Sequence, residues 1–379
     1  MSAPAPVTRH ERDFAAFLRR GVLPWPAACQ GEQASHELLE AAEAHRVLPL
    51  LHAAGARSGL PGWPAPVRQQ LAQRARRAAV GELRRTHALR QTLRALADAG
   101  VAVLAIKGEA LAHSIYPSPA LRPRCDSDLL VAPGQRERAE RCLARLGHQR
   151  GPRIRGRRVE YQAPWIREAA GLRCVVDLHW RVSNRQSLAP RFDFASLWTR
   201  ARPCPALAAG VRIPDRVDAL QIAAIHGPAH HGGQFQPLLW HYDLHLLCLA
   251  LRAEERAALL ERSHARGVGG LVAAALGEAR ARFATPLAPE LAALALPGEA
   301  SAALLKRRGR RLLLHDLRHL PGVRPRLELL REAALPDTDF LRWRYAAGPE
   351  ISRTRLLARR LLAAAAHGTG LRTVERLVD

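Results

Sequence analysis

Three acidic residues stand where a strand-forming sequence can make them act together. Asp126 and Asp128 open the apolar run DSDLLV, and Asp177 sits near the end of LRCVVDLHW. Side chains alternate faces along a strand, so Asp126 and Asp128 project from one face about 6 to 7 Å apart along the backbone. Leu129, Leu130 and Val131 carry that strand into the core and leave the acidic pair at its beginning. Two like charges so close are costly to bury unless a cation sits between them, and a divalent metal is the usual solution. Oxygen ligands favour Mg²⁺ or Mn²⁺ over zinc. Asp177 is flanked by Val175, Val176 and Leu178, which offer no charge to offset it. If its strand lies beside the first, three carboxylates converge on the two-metal arrangement used for in-line displacement at phosphorus.

Complementary groups lie just upstream, where the run VAVLAI stops at Lys107-Gly108. A glycine where a strand turns into a helix lets the backbone approach a phosphate, and the start of a helix at Glu109 offers unpaired N–H groups to it. Lys107 and Arg122 are the cations placed to hold phosphates, although Arg122 also reads as a solvated loop arginine. His179, on the same strand face as Asp177, reads equally as a contact to substrate or phosphate and as a partner that hydrogen-bonds Asp177. Trp180 reads as a core residue ahead of a base-stacking platform. His226 and His230, and again His241 and His245, are four apart, but without an H-E-x-x-H pattern they read as packing residues or substrate contacts. Asp243 reads as a cap or an arginine partner, and Cys125 as a small packing residue.

Elements must hold these groups in place. Helical periodicity fills the chain from His10 to Gly100, chiefly over His36–His52 and Val67–Ala99. Strands are expected at Val101–Ile106, Asp126–Val131, Arg158–Trp165 and Leu172–Trp180, with a short helix over Glu109–Tyr116 stopped by Pro117 and an amphipathic helix ending at Leu146. From about Pro214 helical periodicity returns almost to the end, with a break at Gly232-Gly233. The expected fold class is α+β: a small mixed-sheet core over residues 101–213, between an N-terminal helical region, 1–100, and a C-terminal helical domain, 214–379.

Composition bounds the rest. With 48% hydrophobic and 24% charged residues the chain of 379 reads as a water-soluble globular protein. Its apolar stretches are too short to cross a bilayer, and its beginning lacks the apolar segment of a secretory signal, so the cytoplasm is the expected location. Six scattered cysteines without a C-x-x-C pair read as reduced thiols. The formal charge of +24 is nearly all arginine, Lys107 and Lys306 being the lysines, and it is spread along Ala/Leu/Arg helices. That spread favours a GC-rich compositional origin over a nucleic-acid surface, while an anionic small substrate suits either reading.

The stretch LAIKGEALAHSIYPSPALRPRCDSDLLV, followed by VVDLHWRV, resembles a bacterial family of uncharacterised nucleotidyltransferases, a divergent branch of the polymerase-beta nucleotidyltransferase superfamily. The similarity covers mainly residues 101–182, and more weakly His226–Leu249. It implies a nucleotidyltransferase core in which Asp126 and Asp128 bind two Mg²⁺ ions. Asp177 then binds one of them and helps activate an acceptor hydroxyl, and the turn after the first strand holds a nucleoside triphosphate. The superfamily usually has Gly-Ser at that turn; this chain has Lys107-Gly108, in the manner of the divergent branch. The implied activity moves a nucleoside monophosphate from a nucleoside triphosphate, ATP among the candidates, to an acceptor hydroxyl or phosphate and releases pyrophosphate. The acceptor, whether small molecule, peptide or RNA, is not readable. The alternatives are a non-catalytic nucleic-acid-binding or scaffold protein with arginine-rich helices, and a phosphotransferase using the same metal site.

Overall fold

Three helices open the chain: α1 (Arg9–Arg20), α2 (Glu32–Ala44) and α3 (Leu48–Ser58). The computed structural model describes residues 9–21, 24–25, 31–154, 156–169, 171–227, 236–296, 299–305 and 310–367. The long periodic stretch forms one helix, α4 (Ala65–Asp98), started by Pro66 in its first turn and stopped at Gly100, whose φ of 70° suits glycine. Leu89, Leu93 and Leu96 recur at helical spacing on its buried side. The expected helix over His36–His52 is two helices, because Arg46 turns into the left-handed region at φ 58° and breaks the ladder between α2 and α3.

Among the described residues seven strands fall between Val103 and Ile213, in the spatial order β3-β4-β5-β2-β1-β7-β6. They are β1 (Val103–Ala105), β2 (Ser127–Val131), β3 (Gln149–Arg150), β4 (Gln162–Ala169), β5 (Leu172–His179), β6 (Arg202–Pro203) and β7 (Arg212–Ile213). The sheet is mixed: β1 runs antiparallel to β2 and parallel to β7, β2 runs parallel to β5, and β4 and β5 form an antiparallel pair. Between strands lie α5 (Lys107–Ala112), α6 (Arg136–Arg145) and α7 (Phe194–Arg200). The α5 helix is shorter than expected and ends well before Tyr116.

One strand is displaced from its expected place. Arg158–Trp165 carries the β-forming residues, yet β4 starts at Gln162, because the N–H groups of Arg157, Arg158 and Val159 are taken by the Glu332 carboxylate at 2.7, 2.8 and 2.9 Å. A distant side chain thus satisfies donors that would otherwise join the ladder. The two-residue strands β3, β6 and β7 are too short to leave a periodic signal.

Each sheet face meets a different set of helices. Val103, Ala105, Leu129, Val131, Val176, Leu178 and Trp180 face α4 and α6. Leu104, Ile106 and Leu130 face a second core built from α8 (Arg216–His226), α9 (Leu238–Ala250), α10 (Ala253–Ala265) and α11 (Gly269–Phe283). The side chain of Asp215 caps α8 by accepting from the Asp218 N–H at 2.7 Å. The outer helical regions are not separate bodies: Phe14, Phe17, Leu38 and Leu51 share one core with Leu238, Leu239 and Phe283. The last helices are α12 (Arg310–Arg318), α13 (Val323–Ala334), α14 (Thr338–Tyr345) and α15 (Arg353–His367). Leu320, Leu329, Ala333 and Phe340 from this group pack on Ile154 and Val159 beside the sheet. Among the described residues no helix is long and apolar enough to cross a membrane.

Candidate active site

Sheet pairing sets the positions of the acidic residues. Because β2 and β5 run parallel in register, Asp128 lies directly opposite Asp177 and Leu130 opposite His179. The alternation along β2 puts Leu129 and Val131 against α4, so Asp128, on the other face, points toward the C-terminal helices together with Asp177 and His179. Asp126 precedes the first residue of β2 and is half-buried, while Asp128 and Asp177 are buried. β1 delivers the last member: the Ile106 N–H bonds the Asp128 carbonyl at 3.0 Å, so the next residue, Lys107, emerges beside that aspartate. Lys107 takes a left-handed backbone, φ 50°, as the chain turns into α5.

The hydrogen bonds around the carboxylates are one-sided. The Lys107 Nζ donates to Asp128 Oδ1 at 2.7 Å, and His179 Nε2 lies 2.7 Å from the same oxygen. Gln162, opposite His179 on β4, donates its Nε2 to Asp177 Oδ2 at 2.6 Å. Among the described residues, Asp128 Oδ2, Asp177 Oδ1 and both oxygens of Asp126 have no hydrogen-bond donor. Single ligand atoms of Asp128, Asp177 and His179 all lie within 4.8 Å of one another, a spacing that suits a cation. The His179 Nε2 is already committed to Asp128, while the oxygens without a donor on Asp126, Asp128 and Asp177 are carboxylate ligands of the kind Mg²⁺ and Mn²⁺ take. The residues present therefore fit a divalent ion.

Charge balance points the same way. Burial, and then the neighbouring Asp128 charge, push the Asp126 carboxyl up to about 6. Burial and the charges of Asp126 and Asp128 carry Asp177 well above the usual carboxylate range. Burial alone would raise Asp128 too, but the Lys107 ammonium and the His179 bond hold it well below that range. The Lys107 ammonium is raised: burial opposes its charge, and Asp128 outweighs the burial. Burial, aided by Lys107, lowers His179, so its ring is neutral and donates Nε2–H to the ionised Asp128. One lysine thus faces three carboxylates, and two of them are left in want of positive charge.

Arg122 has a different setting from the one expected. Its Nε and Nη2 form a fork on Asp243 of α9 at 2.9 and 2.6 Å, and the Tyr116 hydroxyl donates to the same carboxylate at 2.7 Å. All three are buried. Its remaining nitrogen, Nη1, lies against Gly108, where an added Cβ would come within 2.5 Å of it. An alanine at this position would therefore have to displace the Arg122 Nη1. Lys107, expected to face phosphates, is bonded to Asp128. On the opposite face of β2, Ser127 Oγ and Arg124 Nη1 donate to Glu109 at 2.8 Å each, and Arg124 also pairs with Glu82 of α4. This buried network fixes the turn from behind.

Other expected residues fall elsewhere. His226 packs edge-on to Trp240 at 4.9 Å, and His245 pairs with Thr285 at 2.9 Å. Burial lowers His241 to about 3. His230 and Gly232-Gly233 lie outside the described residues. Trp180 is a core residue with the Arg136 guanidinium 3.5 Å from its ring centroid. Cys142, Cys174, Cys204 and Cys248 are buried free thiols, Cys125 is half-buried, and Cys29 lies outside the described residues. Sequence reasoning missed Gln162 and the buried Glu109 altogether. Gln162 carried a faint signal as a polar residue beside a β-forming run; Glu109 carried none.

The chain belongs to the family of uncharacterised nucleotidyltransferases, whose sequence profile matches residues 31–284. It is accordingly a transferase of the nucleotidyl class. The match takes in α2 to α11 and the whole sheet, while α12 to α15 lie beyond it. No curated protein sequence matches the chain. Among solved structures it is similar to the antibiotic-resistance factor ANT(2'')-Ia, at 15% identity over 49% of this chain and 94% of that one, with a TM-score of 0.35.

Proposed function

We propose that this protein transfers a nucleoside monophosphate from a nucleoside triphosphate to an acceptor hydroxyl or phosphate, releasing pyrophosphate, with Mg²⁺ or Mn²⁺ held by Asp126, Asp128 and Asp177. The observation that carries the reading is the pairing of Asp128 with Asp177 across β2 and β5, each with an oxygen that has no donor among the described residues, beside an Asp126 in the same condition. Bound there, the ion supplies positive charge to the phosphates and to the developing negative charge.

The chain's own residues have separable tasks. Lys107 and His179 hold Asp128 ionised and fixed through one oxygen, leaving the other to the metal. Gln162 fixes Asp177 through one oxygen and, among the described residues, leaves the other free. Asp177, raised by burial and by its acidic neighbours, is the group suited to take the proton of the acceptor hydroxyl. Arg122, held by Asp243, turns its Nη1 to the Gly108 bend and so offers the phosphates a fixed cation. Residues 101–213 form the catalytic unit, and the helices of 1–100 and 214–379 form the walls that select the acceptor.

Incubation with each of the four labelled nucleoside triphosphates, Mg²⁺ and a cell extract tests the reading, with Asp126→Ala as the control. A labelled product whose mass increases by a nucleotide, absent with the variant, supports it. An increase of only a phosphate points to phosphoryl transfer from the same site. No turnover, together with RNA or DNA affinity that falls steeply with salt, points to a nucleic-acid binder and overturns it.

A further inference from the structure

The helices α12 to α15 lie beyond residues 31–284, yet two of their carboxylates reach the same end of the sheet. Glu332 of α13 accepts the successive N–H groups of Arg157, Arg158 and Val159 at 2.7, 2.8 and 2.9 Å. Gly156 leaves it room, since a Cβ there would collide with the Glu332 carboxylate. Asp316 of α12 takes the Gln186 N–H on one oxygen and the Arg185 guanidinium on the other, each at 2.8 Å. The two captured segments are also tied to each other, because the Arg181 and Gln186 side chains both donate to the Arg158 carbonyl at 3.0 Å.

One captured segment leads into β4 and the other leaves β5. Both therefore meet the last rung of that antiparallel pair, where Gln162 stands opposite His179. A final rung has ladder neighbours on one side only, and it opens more readily than the middle of a sheet unless the chain beyond it is held. These two residues hold the acidic site: Gln162 donates to Asp177 at 2.6 Å, and His179 to Asp128 at 2.7 Å. Just past the rung, the Trp180 and Arg181 N–H groups share the Tyr161 carbonyl at 3.1 and 3.3 Å, and the ring centroids of Tyr161 and His179 are 5.7 Å apart. Tyr161 follows Val159 by two residues, so the backbone that Glu332 fixes runs directly into the rung.

We propose that α12 and α13 clamp the β4–β5 pair at its active-site end, with Glu332 as a positioning residue that acts through Gln162 and His179 on the metal-binding carboxylates. The inference rests on the nucleotidyl-transfer reading for the metal, and it extends the site to helices outside the matched family region. Partners that orient metal ligands alter affinity by about 10-fold or more, and Glu332, one step further out, stands at the low end of that range.

Hydrogen–deuterium exchange of the full metal-free chain, and calorimetric titration with Mg²⁺ alone, are compared for the intact protein, Glu332→Ala, Glu332→Gln and Glu328→Ala. Glu328 is the control: one turn away on α13, it is bonded to the Arg158 side chain at 3.0 Å, where Glu332 holds the Arg158 backbone. Glu332→Ala is expected to speed exchange at the Gln162–His179 rung, leave β1 unchanged and weaken Mg²⁺ binding about 5- to 10-fold. Glu332→Gln, which keeps one acceptor, should fall between, and Glu328→Ala should stay close to the intact protein. Unchanged exchange at the rung, or unchanged Mg²⁺ affinity, overturns the clamp and leaves the nucleotidyl-transfer reading standing. Faster exchange throughout the sheet, β1 included, marks a structural role alone and also overturns it, as do equal losses for Glu332→Ala and Glu328→Ala. An intact protein that binds no Mg²⁺ overturns both.

Discussion

Replacing Asp126 by asparagine should make the metal-free protein more stable while removing its response to Mg²⁺. In the folded chain burial and Asp128 push this carboxyl from 3.8 up to about 6. That displacement is about two pH units, or about 3 kcal/mol of ionisation penalty at neutral pH at about 1.4 kcal/mol per unit. Asp126 is half-buried and receives no hydrogen bond among the described residues, so solvent screens part of the penalty and asparagine forfeits no donor. A gain of about 1 to 2 kcal/mol remains, or about 1 to 3 °C in the thermal transition of a chain this size. A carboxyl raised on folding takes up a proton as the chain folds. The intact metal-free protein should therefore gain stability as pH falls from about 7 toward 4, and lose it as pH rises through about 6. Scanning calorimetry in a chelator and then in Mg²⁺, at pH 5 and pH 7, reads all of this. Asp126→Asn should unfold later in chelator at pH 7, show a flatter pH response, and lose the Mg²⁺-induced rise. An earlier transition in chelator, or an undiminished response to Mg²⁺, would refute the reasoning.

The remaining predictions concern the same groups. Mg²⁺ affinity of the intact protein should fall about 10-fold between pH 7 and pH 5 from Asp126 alone, and more steeply as Asp177 takes up its proton; proton release on metal binding, compared across buffers by calorimetry, measures it. Arg122→Met leaves the buried Asp243 carboxylate with only Tyr116 and should cost about 3 to 5 kcal/mol, whereas Arg122→Met combined with Asp243→Leu should recover much of that in chemical denaturation while nucleotide binding stays lost. Gly108→Ala should displace the Arg122 Nη1, raising KM for the triphosphate with little loss of thermal stability.

How much of this was legible beforehand follows from the range of each interaction. The runs ending at Ile106, Val131 and His179 were readable because a short apolar segment bounded by Gly, Pro or charge is strand-like by itself, and the shared face of Asp126 and Asp128 follows from the period of two. That β2 and β5 pair in register, setting Asp128 against Asp177, is a tertiary fact that no local pattern encodes. The same holds for Arg122 with Asp243, which lie 121 residues apart, and for Glu332, which captures the backbone ahead of β4 from 173 to 175 positions downstream. His179 was placed on the right face, but its partner proved to be Asp128, because parallel pairing sets it opposite Leu130, two residues past that aspartate. The break at Arg46 was invisible because a helix reads as continuous through one residue of unusual backbone.

The core that Phe14 and Phe17 share with Leu238 and Phe283 bears on biosynthesis. The first three helices end at Ser58, and their apolar partners on α9 begin at Leu238. A ribosome adding roughly 5 to 20 residues per second needs about 10 to 40 seconds to cross that gap. During that interval Phe14, Phe17, Leu38 and Leu51 are without their downstream cover, so the nascent chain presents a sticky N-terminal segment to chaperones. Truncations before α11 should aggregate for the same reason, however intact their catalytic sheet.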